Sequence, residues 1–137
     1  VLEQYIQNHP ECLTCVYADA NGLHELNNSQ GHLAGDRMLQ AVAEALSEAF
    51  GQGKVYRIGG DEFLVFTEMD ERTAEQMAAK AKENVSKKGY HVSVGTASGE
   101  KSVAVAAIVK EAEMKMYEDK RQYYISHGDR RKMRASS

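Results

Sequence analysis

No apolar run in the 137 residues comes near the roughly 20 that a membrane-spanning helix needs. No secretory leader is expected in this stretch either: it starts at Val1 without Met, and residues 1–8 mix apolar and polar side chains. It reads as a piece of a longer protein. No surplus of one charge exists, with 17 Lys and Arg against 20 Asp and Glu and a net charge of −3. That balance excludes a general nucleic-acid coat, because phosphate contacts require an excess of Lys and Arg. There is one proline and no tryptophan, yet 42% of side chains are apolar, too many for a disordered chain. The length is that of one domain with one core, residues 1–137.

Cysteine is scarce as well. Cys12 and Cys15 form a CxxC, but no second pair of Cys or His follows at a spacing that would complete a zinc site. A redox CxxC opens a helix, whereas LTCVYA reads as a strand, on which residues three apart point to opposite faces. Both are expected to be reduced core cysteines of a cytosolic protein. Membrane tethering of the full-length chain is left open.

What is present is a run of alternating elements. Residues 12–18 (CLTCVYA) predict a short buried strand, and residues 19–35, polar and rich in Gly and Asn, predict a loop. A helix follows from Asp36, with Met38, Leu39, Val42, Leu46 and Phe50 on one stripe and Gly51 and Gly53 closing it. Residues 55–58 and 63–67 read as strands of a hairpin joined by Gly59-Gly60-Asp61-Glu62. A second helix spans about 71–88 and stops at Gly89; residues 90–97 alternate like a strand; a last helix covers about 103–125. The order β-α-β-β-α-β-α is the α+β, ferredoxin-like split βαβ plan with one added C-terminal helix. The basic tail, residues 127–137, reads as a frayed end or a link to another domain.

That plan makes a claim about chemistry. Its third strand lies between the first two and runs antiparallel to the first. The end of the first strand, at Asp19, then lies beside the start of the third, at Asp61 and Glu62. Three carboxylates converge at one sheet edge, which implies a cation, and hard oxygen ligands suit Mg²⁺. Three solvated turn acids are the alternative.

Residues 59–63 spell GGDEF. Residues 19–36, DANGLHELNNSQGHLAGD, resemble the D-x-D-x-F-K-x-x-N-D-x-x-G-H-x-x-G-D segment of the GGDEF diguanylate cyclase family. VSVGTA (92–97) and AEMKMYEDK (112–120) resemble that family's strand and last helix, so the likeness covers about residues 12–124. The resemblance implies a bacterial signalling domain related to polymerase and adenylyl cyclase palms. Its expected activity is joining two GTP into cyclic di-GMP with release of two pyrophosphates. Two domains, each with one GTP, would meet in a transient homodimer under an upstream sensor or regulatory domain. A catalytically weak module that binds GTP or a protein partner is the alternative.

By resemblance Asp19 and Asp61 are Mg²⁺ ligands (Mn²⁺ a possible substitute) with the carbonyl of Ala20 a further one. Glu62 matches the second signature acid, near the ribose 3′-hydroxyl, and Lys120 the phosphate lysine; with Asp61 they form the catalytic set. Gly59 and Gly60 let backbone approach the α-phosphate and adopt positive φ. Asn27 and Asp36 match the guanine readers, although Asp36 fits a helix N-cap equally. His32 reads as a structural turn residue.

The chain also departs from the family. Tyr123 and Tyr124 stand at a usual Gly-Arg, so either Arg121 substitutes or triphosphate affinity is lower. Asn21, Leu23, His24 and Asn28 replace the second acid, the aromatic, the lysine and a further Asp of the first segment. Where an inhibitory R-x-x-D would stand there is Phe50-Gly51-Gln52-Gly53, and the opening D-x-L-T-G-x-x-N-R hairpin is missing.

Overall fold

A computed structural model describes residues 12–100 and 103–126. The element order is β1 (Cys12–Ala20), α1 (Leu23–Gln30), α2 (His32–Phe50), a 3₁₀ turn (Gln52–Lys54), β2 (Val55–Arg57), β3 (Glu62–Thr67), α3 (Glu71–Lys87), β4 (Val92–Glu100) and α4 (Val105–Ser126). The strands form one antiparallel sheet in the order β2-β3-β1-β4, the split βαβ arrangement expected.

Helices cover both faces, which is why β1 and β3 read as nearly continuous apolar runs. Val16, Ala18 and Ala20 of β1 pack with Met38, Val42 and Leu46 of α2 and with the alanines of α3. The alternate residues Leu13, Cys15 and Tyr17 pack under Val105, Ile108, Ala112 and Met116 of α4. Asp119 fastens that helix: its Oδ2 accepts the Val94 N–H at 2.9 Å and Lys82 Nζ at 2.7 Å.

Several expectations are corrected. Residues 19–35 are not a loop: β1 runs on to Ala20, and α1 forms between Gly22 (φ 80°) and Gly31 (φ 89°). Both glycines hold the positive φ that sharp entry and exit require. Leu23 and Leu26 lean on the core while the rest of α1 is polar, so its composition hides the helix. Because α2 begins at His32 behind Gly31, Asp36 lies inside that helix and is not its N-cap. His32 likewise opens the helix and is not in a turn. Of the two cysteines only Cys15 is a core residue, its thiol pushed up to about 12 by burial, while Cys12 is exposed; neither is in a disulfide. The basic tail lies outside the described residues.

Candidate active site

The register of the sheet puts Asp19 directly opposite Glu62 at the end of the central strand pair. One residue further, the Ala20 N–H donates to the Asp61 carbonyl at 2.8 Å, so the two chain segments stay joined past the ladder. Arg57 secures the connecting turn by donating to the carbonyls of Gly59 (3.1 Å) and Gly60 (2.7 Å). The acids are thus held by backbone and not by one another.

Asp19 is 5% exposed. Its Oδ2 accepts from Lys120 Nζ at 3.2 Å, and Lys120 is itself buried, having followed the inward stripe of α4 one turn past Met116. Burial pushes the Asp19 carboxyl up to about 7; Lys120 opposes the shift, and Asp61 and Glu62 add to it. Asp19 Oδ1 is buried without a hydrogen-bond partner. An orphaned buried carboxylate oxygen near two further acids has donor chemistry that fits a divalent cation. Among the described residues no three His, Cys, Asp or Glu side chains make a metal cluster on their own. The sheet register sets Asp19 opposite Glu62, and Asp61 precedes Glu62 in the chain, but the three carboxylates do not form a side-chain cage.

Lys120 stands between two cavities. One, of about 450 Å³, is lined by Asp19, Glu62, Glu113, Met114 and Tyr117; the other, of about 270 Å³, by Ala20, Gly22, Leu23, His24 and Asp61. Gly59 and Gly60 are exposed in the turn beside them, and neither has positive φ. The expected positive φ is therefore not found at either glycine, and a Cβ on Gly60 would meet nothing within 4 Å. Asn27 packs against Gly35, where a Cβ would fall 1.8 Å from its Oδ1, and Oδ1 is buried without a partner. Asp36, the next residue along α2, is exposed beside that pair.

The departures from the expected pattern also have places. Asn21 is buried, donating to Ser93 Oγ at 2.7 Å and bonding His91, so it ties the end of β1 to β4. Tyr124 is buried and Tyr123 stacks on His91 with ring centroids 3.7 Å apart. Arg121 grips Glu118 with two bonds of 2.9 and 3.0 Å on the exposed side of α4 and pulls its carboxyl down to about 2. Sequence reasoning missed Tyr17 and Glu113, although the two-residue period of β1 puts Tyr17 on the face of Asp19.

The four-stranded antiparallel sheet with helices on both faces is a palm-like α+β fold. The chain belongs to the GGDEF family: residues 1–124 match the family described as diguanylate cyclase, GGDEF domain. A probable diguanylate cyclase of Escherichia coli, DgcI, is 35% identical over 94 residues, 67% of this chain and 20% of that protein. This chain spans about a fifth of that relative's length. The GGDEF domain of YfiN (TpbB) from Pseudomonas aeruginosa has a TM-score of 0.69 at 27% identity, covering 88% of this chain and 83% of that one. The active GGEEF domain of a diguanylate cyclase from Vibrio cholerae shares the fold, with a TM-score of 0.75 at 19% identity and coverage of 88% and 83%. No helix among the described residues is long and apolar enough to cross a membrane.

Proposed function

We propose that this domain condenses two GTP into cyclic di-GMP, one GTP bound per copy, in a transient homodimer. The observation that carries the reading is the partnerless buried oxygen of Asp19, set between Lys120 and the acids Asp61 and Glu62. Asp19, Asp61 and the Ala20 carbonyl would hold Mg²⁺, or Mn²⁺ in its place. When bound, the cation lowers the pKa of the attacking hydroxyl and neutralises phosphate charge. Lys120, at the wall of both cavities, turns its ammonium to the triphosphate. Gly59 and Gly60 bring backbone close to the α-phosphate. Asn27 and Asp36 read guanine, the carboxylate accepting from N1–H and the exocyclic amine.

Each 3′-hydroxyl forms a bond to the α-phosphorus of the other GTP as the bridging α–β P–O bond breaks. Pyrophosphate leaves, and the hydroxyl proton passes to the Glu62 carboxylate. The chain's contribution is positioning and charge. Incubation with GTP and Mg²⁺ at high protein concentration, followed by detection of cyclic di-GMP, tests the proposal. A second reading, a GTP-binding module with weak or no turnover, is favoured by Arg121 facing Glu118 and by the burial of Tyr124. No guanidinium is then left on the last turns of α4 for the triphosphate, and GTP bound without product would select that reading. An upstream sensor or regulatory domain would bring two copies together.

The product is expected not to bind at the segment after α2. Phe50 is 6% exposed and belongs to the core, and Gly53 presents no side chain. Neither offers the charged fork nor the acceptor that would clamp guanine. Losing such bonds, at roughly 1.5–3 kcal/mol each, weakens binding by one to two decades or more. The check is a titration of cyclic di-GMP with the active site blocked by a non-hydrolysable GTP analogue. Saturable low-micromolar binding that is lost on Gln52→Ala or Gly53→Ala would overturn the expectation.

A further inference from the structure

We infer that Tyr17 is a positioning residue that fixes the Glu62 carboxylate for the proposed reaction, an inference that rests on the cyclase reading above. Alternate residues of β1 share a face, so Tyr17 and Asp19 both look toward α4. Asp19 is paired with Glu62 and Tyr17 with Leu64 on β3, which makes Glu62 the direct neighbour of Asp19 and the diagonal neighbour of Tyr17. The Tyr17 hydroxyl donates to Glu62 Oε2.

Two carboxylates directly opposite on neighbouring strands repel each other. Left alone, each would turn away to solvent. In this site each has its own buried donor: Lys120 holds Asp19, and Tyr17, 5% exposed, holds Glu62. The phenol is a dependable donor, since a tyrosine hydroxyl keeps its proton at neutral pH. With Oε2 engaged by Tyr17, Oε1 is the oxygen left on the Gly59 side, 3.7 Å from the point where a Cβ on that glycine would stand. Oε1 is therefore the atom presented to the turn that would receive the substrate. A freely rotating glutamate would spend only part of its time there.

The test is Tyr17→Phe, which removes one oxygen and keeps the ring in the α4 cluster. Loss of a bond to a charged group predicts a fall in kcat of roughly tenfold or more, with KM for GTP changed by less than about twofold. On a Glu62→Ala background the same substitution should cause no further loss. A separate arm reads the contact without turnover: in the nucleotide-free chain carrying ¹³Cζ-labelled tyrosine, the Tyr17 resonance should move on Glu62→Ala. A resonance indifferent to Glu62→Ala, or an unchanged kcat in Tyr17→Phe, overturns the positioning role. A wild-type chain that makes no product, with the resonance still responding, overturns the reaction and leaves the contact standing.

Discussion

Asp61→Ala is expected to lower Mg²⁺-dependent formation of cyclic di-GMP by roughly 10²–10³-fold or more, the scale on which a key electrostatic group is lost from a site. The fold should be untouched. What Asp61 gives the architecture is its carbonyl, which accepts the Ala20 N–H at 2.8 Å, and alanine keeps that bond. The turn is closed independently by the Ile58 N–H donating to the Glu62 carbonyl at 3.0 Å and by Arg57 on Gly59 and Gly60. Rates and thermal melting should be measured on the same preparation. Near-normal activity in a folded variant would remove Asp61 from the proposed metal site.

Gly95→Ala is expected to damage the fold severely. A Cβ at Gly95 would stand 2.1 Å from Met116 N and 2.2 Å from Ala112 O, both backbone atoms of α4. No rotamer change relieves a clash with backbone, so the helix must lift from β4. Overpacking costs about 1–3 kcal/mol, and the backbone contact places this case at about 3 kcal/mol or above. For a domain of this size that is roughly 10 °C in the melting midpoint. Gly60→Ala supplies the control, since nothing lies within 4 Å of its Cβ position. Its stability should stay within about 0.5 kcal/mol of the parent. Equal midpoints for the two variants would mean that α4 does not pack as described. Because α4 also carries Lys120, a lifted helix should weaken the Asp19–Lys120 contact as well.

The sequence was most legible where period and burial agree. β1, β3 and α3 are marked by apolar runs or stripes that tertiary packing merely completes, and the split βαβ order follows from their succession. It was least legible at α1, where only Leu23 and Leu26 reach the core and Asn27, Asn28 and Ser29 are weak helix formers. The packing of α1 on α2 overrides that preference. Missing α1 also misplaced the start of α2 and so gave Asp36 a cap it does not make. At the site, Lys120 could be placed from its helix stripe and Asp19 from its strand end. Tyr17 could not be singled out, because nothing local distinguishes a strand tyrosine that fills the core from one that also holds a carboxylate. That difference arises only when β3 brings Glu62 alongside, a contact between residues 45 apart in the chain. The glycines of the signature misled in another way: glycine suggests positive φ, yet here neither Gly59 nor Gly60 adopts it.

The most direct measurement of the central claim is the rate of cyclic di-GMP formation per subunit, from GTP and Mg²⁺, as protein concentration is raised. One GTP per copy makes a pair of copies the reactive species, so the rate per subunit should climb with concentration, and two pyrophosphates should appear for each product molecule. GTP that binds but yields no cyclic di-GMP at any concentration, or a rate per subunit that stays constant in a proven monomer, would contradict it.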